Sequence, residues 1–517
     1  MPADDAAVVT LACCAFALAI RAMVGLAGYS GEHTPPMYGD FECQRHWMEI
    51  TVNLPPRSWY VHGPDNDLQY WGIDYPPLSA HHSYLLGKLA RAAGHPALVE
   101  LYSSRGHESP ATRAFMRNVV LLCDALIFFT AAASFVHAVN RHRGGVAAQA
   151  SQLLQILLVP VLVLVDHGHF QFNCVSLGLT MWAAHLALSG RPLACCVCFS
   201  LALNFKQMTL YLAPAFFCYL LAGCLHSTPT ILGRLGQIAR LGVAVVGTFI
   251  LCWYPFLTST ADALAVVRRV FPVERHLYED KVANLWCTLS LLPMLKLKAA
   301  WPIAALLRLS LATTLAALLP PCVLLVRRPS RLGFLLCATA CGLAFFLCSY
   351  QVHEKHILLP LLPASMLAHR QPALFGWLAT ASCFSLYPLL KRDGQAVQYA
   401  VLQVGYLALC KLAAAPLPRI VRLAMGVSLA GMLVLHILDA TLNPPARYPD
   451  LHAVAFAGYS CLHFVLAYAV AVGVQFAAAT RLAGKDEHTP MHDSAGHTDL
   501  IFMLPGHPPN DVRKKAA

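Results

Sequence analysis

The sequence predicts an all-α membrane protein that crosses the bilayer many times, and three observations lead to this class. Hydrophobic residues make up 57% of the 517 positions and charged residues only 12%, whereas a soluble domain carries roughly 25% charged residues. The mean hydropathy is +0.56. Apolar runs of roughly 20 residues, the length that spans a bilayer core, recur along almost the whole chain. These runs are continuous rather than alternating, which predicts helices instead of strands.

The apolar runs predict about fourteen membrane-spanning helices. They lie at roughly 6–27, 117–139, 146–165, 170–189, 192–208, 209–224, 238–258, 303–326, 333–350, 354–369, 371–391, 397–414, 420–440 and 455–478. The first run follows acidic residues and exceeds the roughly 7–15 apolar residues of a secretion signal, so we expect it to be retained as a span.

The connecting segments fall into two sets by their content of Lys and Arg. Short basic segments such as "NRHRGG" (140–145) and "RRPSR" (327–331) form one set, which the positive-inside rule places in the cytosol. The other set includes two long segments, 28–116 and 259–302, predicted to face the lumen. Only "KRDG" (391–394) breaks the partition, because this basic segment falls on the luminal side. An even number of spans places both termini in the cytosol, and this topology explains the net charge of +11 without a nucleic-acid partner.

Four parts of the chain follow from this topology. Residues 1–258 are predicted to form a core that contains the first luminal loop (28–116), and the second luminal loop (259–302) comes next. Residues 303–480 form the C-terminal spans, and residues 481–517 are a polar cytosolic tail predicted to be disordered. The tail ends "RKKAA", and the positions of its two lysines resemble the dilysine signal that returns membrane proteins to the endoplasmic reticulum.

The cysteines do not predict a disulfide framework, although the chain has nineteen of them. Pairs such as Cys195 and Cys198 lie inside apolar runs, where Cys acts as a small hydrophobic residue. The spacing of this pair is that of a redox motif, but its position within a span disfavours that interpretation. Cys43 and Cys287 fall in polar loops, and the sequence leaves their pairing open.

Carboxylates are concentrated in the first luminal loop, in "YGDFECQRHWMEITVNLPPRSWY" (38–60). Asp40 and Glu42 follow Gly39, and Asp74 lies further on in "LQYWGIDYPPLSAHH". A carboxylate here could take a proton from an attacking hydroxyl, although a loop acid is more often a helix cap or an ion-pair partner. Aromatic residues nearby can stack on sugar rings or anchor the chain at the membrane interface; they are Trp47, Tyr70, Trp71 and Tyr75.

Basic side chains lie at the luminal ends of later spans. They are Lys206, Arg268, Arg269, His353 and Lys355. Their common role could be to hold a phosphate at the head of a lipid, although snorkelling or internal ion pairing would also explain them. "DHGHFQ" (166–171) brings an Asp and two His together, but zinc needs three or four converging ligands. The sequence therefore predicts no metal site.

A luminal carboxylate, bases for a lipid phosphate and sugar-stacking rings together favour glycosyl transfer from a lipid phosphate. A transporter is the alternative from another class, because buried acids also mark proton-coupled transport. Acids that serve proton-coupled transport usually lie in the middle of a span. The predicted spans are nearly free of acids, and Asp124 is the notable exception. No inverted sequence repeat supports a transporter.

Six stretches in order carry a resemblance to a known family: "GDFECQRHWMEIT", "NDLQYWGIDYPPLSAHHSYLLGKLA", "DHGHFQFNCVSLG", "NFKQM", "FPVERHLYEDKVANLWC" and "QVHEKHILLP". This series resembles the ALG6/ALG8 glucosyltransferases of the endoplasmic reticulum membrane, which belong to the GT-C class. The resemblance runs from about residue 20 to residue 360 and more weakly beyond. It implies a GT-C fold with about fourteen transmembrane helices and a luminal active site.

The resemblance also implies a reaction. Family members add successive glucoses to a lipid-linked oligosaccharide, and "GHFQFNCVSLG" and "FPVERHLYEDKVANLWC" resemble members that add the first. The implied donor is dolichyl-phosphate-glucose, the acceptor is Man9GlcNAc2-PP-dolichol, and an α-1,3 bond forms with inversion. A member that adds the second glucose, acting on Glc1Man9GlcNAc2-PP-dolichol, is the nearest alternative.

The resemblance assigns roles residue by residue. Asp40 is implied as the catalytic base, Glu42 as the second acid with Asp74 in support, and His353 as a contact of the donor phosphate. Lys206, Arg268, Arg269 and Lys355 are expected at the same phosphate. The expected contacts of the acceptor or sugar are Trp47, Tyr70, Trp71, Tyr75, His169 and Gln171. The resemblance implies neither a metal nor any other cofactor, and the expected partners are the two lipid-linked substrates and the bilayer.

Overall fold

The computed structural model of the chain describes residues 3–140, 145–271, 281–290, 301–413 and 417–483. Within these ranges the regular structure is helical, and the one strand-like pairing is a bridge between Gly63 and Asn66. The all-α prediction is therefore confirmed for this part of the chain. The C-terminal tail with its two lysines lies outside the described residues.

Eight helices of the described part are long and apolar enough to cross a membrane. They are Asp5–Val24, Pro110–Asn140, Gln207–Ser227, Ile231–Phe256, Ile303–Arg327, Arg331–Cys348, Arg419–Thr441 and Leu451–Arg481. The pair Val146–Leu157 and Pro160–Phe170, bent by 50°, makes a ninth if it is one broken span. The chain is thus a multi-pass membrane protein.

The predicted count of fourteen spans is not confirmed, because several apolar runs form helices shorter than a bilayer core. Asn173–Leu188 has 16 residues and Pro192–Phe205 has 14, whereas a span needs roughly 20. The predicted span at 371–391 divides into Pro372–Ser385 and Tyr387–Arg392. Proline, which lacks a backbone N–H, begins or follows these breaks, and hydropathy alone does not detect them.

The remaining helices connect or flank these spans. The predicted first luminal loop contains Asp40–Asn53 and Pro77–Ala92, with short 3₁₀ turns at Pro56–Ser58 and Pro96–Val99. The other elements are Thr260–Val270, Leu285–Leu289, the 3₁₀ turn Glu354–Ile357, Leu358–Met366 and Ala396–Ala413. Residues 272–280 and 291–300 of the second predicted loop lie outside the described residues.

A buried ion pair joins the first span, Asp5–Val24, to the next one, Pro110–Asn140. Arg21 contacts Asp124, and both side chains are fully buried. Asp124 also lies 2.8 Å from Nε2 of His167. The charge of Asp124 is therefore paired within the helix bundle.

Cys43, in the predicted first luminal loop, carries a free thiol. Three other cysteines, Cys322, Cys337 and Cys341, meet where Ile303–Arg327 packs on Arg331–Cys348, with sulfur–sulfur distances of 3.7 and 3.9 Å. These are contact distances between thiols in an apolar helix interface, and they agree with Cys acting as a small hydrophobic residue there.

Candidate active site

Asp40 is the first residue of the helix Asp40–Asn53, and its backbone is fixed by Ser30. The Asp40 N–H donates to Ser30 Oγ at 3.1 Å, and the Ser30 N–H donates to the His169 carbonyl at 3.0 Å. A Cβ atom on Gly39 would lie 2.4–2.5 Å from Ser30 atoms, so only glycine permits this close approach. A carboxylate at this position is also stabilised by the N-terminus of the helix dipole.

Three side chains contact the same oxygen of the Asp40 carboxylate. Lys355 Nζ lies 2.8 Å from Oδ2, His169 Nε2 lies 3.1 Å from it, and Gln171 Nε2 donates to it as well. Among the described residues, none donates to Oδ1, and the Asp40 side chain is 24% exposed. One carboxylate oxygen is thus held in place, while the other accepts no hydrogen bond from a described residue.

The electrostatics of this cluster favour the ionised carboxylate. Burial alone would raise the pKa of Asp40, but the charge of Lys355 and the contact with His169 hold that pKa well below its ordinary value. Burial would lower the pKa of Lys355, but the Asp40 carboxylate raises it. Asp40 is therefore a carboxylate, and Lys355 an ammonium, at neutral pH.

Lys206 extends the cluster through Gln171. Its Nζ lies 3.1 Å from Gln171 Oε1 and 2.6 Å from Asn173 Oδ1, in a position that is only 8% exposed. Nζ also lies 5.0 Å from the centre of the Tyr75 ring. Gln171 therefore connects the ammonium of Lys206 to the carboxylate of Asp40.

Glu42 lies on the other side of the same helix from Asp40, since two residues correspond to about 200° of helix rotation. Its carboxylate accepts two hydrogen bonds from Arg45, each of 2.7 Å, and one from Tyr70 Oη at 2.8 Å. Arg45 also donates to Glu49 at 2.7 Å. Glu42 and Tyr70 are thus brought together in a buried charge network that supports the helix.

Glu49 is a second buried acid of this network. Burial would raise its pKa, but the hydrogen bond from His46 and the charge of Arg45 lower the pKa to about 2. Glu49 also accepts the backbone N–H of Tyr102 at 2.9 Å and the hydroxyl of Ser104 at 3.0 Å. It therefore ties the helix that begins at Asp40 to the chain some fifty residues later.

Two of the predicted sugar-contacting rings, Trp47 and Trp71, donate hydrogen bonds to backbone carbonyls of the same segment. Trp47 is only 1% exposed; its indole N–H donates to the Trp71 carbonyl at 2.9 Å and its ring packs edge-on against Tyr75 at 5.0 Å. The indole N–H of Trp71 donates to the Met37 carbonyl. The role of these four aromatic residues at a sugar stays a prediction.

The remaining predicted residues are Arg269, Arg268 and His353, together with Asp74. Arg269 donates to the carbonyls of Gly72 (2.8 Å) and Ile73 (3.2 Å), which fixes the backbone just before Asp74. Arg268 is exposed. His353 is half-buried, and its backbone N–H donates to Nδ1 of His356 at 3.2 Å.

One residue of the site escaped the sequence analysis. Asp393 Oδ2 lies 2.5 Å from Nδ1 of His169, and the two side chains are 4% and 2% exposed. Asp393 belongs to "KRDG", the one basic segment that falls on the luminal side in the predicted topology. That exception was the only sequence signal that pointed to this segment.

Metal binding is not evident around Asp40. Among the described residues, His, Cys, Asp and Glu side chains converge closely enough for an ion only at Cys322, Cys337 and Cys341. That no metal takes part in the reaction stays a prediction. The chemistry available at Asp40 is proton abstraction by a carboxylate beside two ammonium groups.

Similarity to known proteins identifies the family of this chain. The model of the "ALG6, ALG8 glycosyltransferase family" matches residues 17–470. A chicken (Gallus gallus) protein named dolichyl pyrophosphate Man9GlcNAc2 alpha-1,3-glucosyltransferase is 41% identical over 476 residues, which cover 87% of this chain and 93% of the relative. An Arabidopsis thaliana protein with the same name, marked probable, is 44% identical over 453 residues, 84% of each chain. Schizosaccharomyces pombe has a similar protein, again marked probable, 39% identical over 455 residues (85% of this chain, 87% of the relative). The chain belongs to the ALG6, ALG8 glycosyltransferase family.

Proposed function

We propose that this chain is an α-1,3-glucosyltransferase that transfers glucose to Man9GlcNAc2-PP-dolichol. The names of the relatives support this acceptor and this linkage, since they share about 40% identity over most of the chain. The donor proposed here is dolichyl-phosphate-glucose, the lipid phosphate that the sequence resemblance implies. No metal or other cofactor is needed for this reaction.

The observation that carries the proposal is the carboxylate of Asp40, with one oxygen held and the other accepting no hydrogen bond from a described residue. This other oxygen, Oδ1, takes the proton from the acceptor hydroxyl as the oxygen of that hydroxyl attacks the anomeric carbon of glucose. The bond from the anomeric carbon to the phosphate oxygen breaks, and dolichyl phosphate leaves with the electron pair. Attack from the face opposite the phosphate converts the β-linked donor into an α-linked product.

Cations near Asp40 stabilise the leaving phosphate. Lys355 is the best placed, because its ammonium already lies beside the reacting carboxylate. We assign Lys206, His353 and the two arginines Arg268 and Arg269 to the same anionic region, with Lys206 acting through its contact with Gln171. Preorganised cations at developing negative charge are typically the largest contribution to catalysis of this kind.

The membrane arrangement proposed is that of the GT-C class in the endoplasmic reticulum. The partition of Lys and Arg among the loops supports a luminal Asp40 and cytosolic termini. About fourteen membrane segments result if the shorter apolar helices, such as Asn173–Leu188, cross or enter the bilayer together with the eight long ones.

The test is glucose transfer in microsomes that lack the endogenous activity, with dolichyl-phosphate-glucose and Man9GlcNAc2-PP-dolichol supplied. The wild-type chain is expected to transfer glucose, and Asp40→Asn to lose activity by about 10³-fold, where roughly 10²-fold is the lower limit for removal of a general base. Asp67→Asn is the matched control, because Asp67 lies in the same segment but is exposed and contacts only its own turn.

Other outcomes would reassign the function. Transfer only to Glc1Man9GlcNAc2-PP-dolichol would identify a second-glucose enzyme. Full activity of Asp40→Asn would move the base to another acid, Asp74 or Glu42. Transfer to neither acceptor would overturn the proposal and leave transport as the alternative.

A further inference from the structure

The segment around Asp393 is packed against the segment that carries His169. The side-chain amide of Gln395 donates to the Gly28 carbonyl at 2.9 Å. A Cβ atom on Gly168 would lie only 1.9 Å from Gln395 Oε1, so the two segments are in direct backbone-to-side-chain contact. Arg117 donates to the carbonyls of His167 and Gly168, which fixes the other side of this turn. The position of Asp393 relative to His169 is thus set by several contacts besides their own.

The two ring nitrogens of His169 face two different carboxylates. Nδ1 lies 2.5 Å from Asp393, and Nε2 lies 3.1 Å from Asp40 and 3.0 Å from Nζ of Lys355. Because a carboxylate only accepts hydrogen bonds, Nδ1 must carry the proton that points at Asp393. Nε2 then faces the pair formed by Asp40 and Lys355, whether the His169 ring is protonated or neutral. A protonated ring donates to Asp40, and a neutral ring accepts from Lys355.

We propose that Asp393 is a positioning residue of the glucosyl transfer, acting through His169 on the carboxylate of Asp40. Asp393 fixes the tautomer and the orientation of the His169 ring, and His169 with Lys355 holds Oδ2 of Asp40. The carboxylate therefore presents its other oxygen to the acceptor hydroxyl. This is the same physical logic by which a buried Asp orients a catalytic His in hydrolases, although here the His acts on a second carboxylate. The inference rests on the proposed function.

The alternative is that Asp393 only neutralises a buried His169 and stabilises the fold. The two roles predict different kinetics. A positioning residue changes kcat and the pH profile with little change in KM for either substrate, and it does so only while His169 is present. A purely structural residue lowers the amount of folded protein and leaves the turnover of each folded molecule unchanged.

The experiment measures glucose transfer per molecule of protein for Asp393→Asn, His169→Gln and the double variant. Asn keeps the size of Asp393, but its amide can donate to Nδ1 and so permits the wrong tautomer. We expect kcat to fall about 10- to 100-fold in Asp393→Asn, as when a hydrogen-bond partner of a functional His is lost, with KM within about threefold. The double variant should be no less active than His169→Gln alone, because Asp393 acts only through that ring.

The pH profile provides a readout that a structural role would not move. The groups that face His169 are Asp40, Lys355 and Asp393. Replacing Asp393 removes the anion that stabilises the imidazolium form of His169, so His169 no longer donates a hydrogen bond to Asp40. The ionised form of Asp40 is then less stabilised, and the acid limb of kcat/KM moves to higher pH. An unchanged profile would overturn the proposal.

Lys391→Met is the matched control from the same segment, because Lys391 pairs with Asp439 at 2.7 Å and not with His169. It should retain wild-type turnover. If Asp393→Asn does not accumulate, Asp393→Glu and Asp393→Gln can be compared instead, because the two new side chains have the same size and differ in charge. Only the Glu variant should be active. Equal activity of that pair, or additive losses in the double variant, would overturn the inference while leaving the proposed function intact. Failure of the wild-type chain to transfer glucose would overturn the proposed function, and the inference with it.

Discussion

The ammonium nitrogen of Lys355 lies 2.8 Å from Oδ2 of Asp40, although the two residues are 315 positions apart in the sequence. The pair is partly exposed, at 15% for Lys355 and 24% for Asp40, so it lies at the edge of the cluster where substrates can reach it. Lys355 thus has two functions open to it: it keeps Asp40 ionised, and it can stabilise a departing phosphate.

Replacement of Lys355 by Met should shift the pH dependence of transfer. The pKa of Asp40 is held well below its ordinary value by Lys355 and His169, against a burial effect that raises it. In the wild-type chain the carboxylate therefore stays ionised as pH falls towards that depressed pKa. Without the ammonium, burial dominates and the pKa rises, so the acid limb of kcat/KM should move to higher pH. Rates measured between pH 5 and pH 8 will show the shift.

The control for this prediction is Lys88→Met, which removes an exposed ammonium. It should leave both the rate and the pH profile unchanged. If Lys355→Met lowers the rate equally at every pH, Lys355 serves the phosphate alone and does not tune Asp40.

Replacement of Glu49 by Gln should destabilise the chain in a pH-dependent way. The pKa of this fully buried residue is lowered from 4.5 to about 2, so its stabilisation is present above its unfolded pKa and is lost as pH falls towards 2. The shift corresponds to about 3 kcal/mol at neutral pH. Thermal unfolding of the detergent-solubilised variant should therefore differ most from wild type at pH 7, and the difference should shrink by pH 3.5.

Glu100→Gln is the control, since its side chain is exposed. Its unfolding temperature should follow that of the wild-type chain at both pH values. A deficit of Glu49→Gln that is constant across this range would show that its carboxylate is not the stabilising group.

The buried pair of Arg21 and Asp124 should behave as a unit. Removal of one partner leaves an uncompensated charge among apolar helices, which typically costs about 3–5 kcal/mol. We therefore expect Arg21→Met and Asp124→Leu each to lower the unfolding temperature of the purified protein more than the double variant does. Losses that add in the double variant would contradict this.

The same double variant separates transfer from transport. If Asp124 carried protons across the membrane, its removal would abolish function whatever happens to Arg21. If its only role is to pair with Arg21, the folded double variant should transfer glucose at a rate within about threefold of wild type. If the double variant folds well but loses turnover, Asp124 has a direct role in function.

The sequence predicted the membrane class, and it singled out Asp40 as a candidate base, because both depend on local patterns; the role of Asp40 is still a prediction. Apolar length defines a span whatever surrounds it, and an acid directly after a glycine in a charged luminal segment stands out in an apolar chain. The helices Ile303–Arg327 and Arg419–Thr441 begin and end within a few residues of the predicted spans for the same reason.

Other features depend on which segments meet, and local patterns do not contain that information. Asp393 lies 224 positions after His169, and nothing in "KRDG" itself identifies a partner. The helix that begins at Asp40 turns Trp47 inward, where its indole N–H supports the backbone of Trp71; the contact of Trp47 with a sugar is still a prediction. Residue type indicated what these side chains can do, and only the packing indicated where they do it.

The active site also has a consequence for biosynthesis. Its contacts join residues 40, 169, 355 and 393, so the segment that carries Asp40 is synthesised long before its partners. At roughly 5–20 residues per second of translation, Asp40 precedes Asp393 by some tens of seconds. During this interval the nascent chain holds an acidic segment without the cations that pair with it in the folded protein. A premature stop codon anywhere before position 355 would leave the base without its ammonium partner, however well the first spans insert.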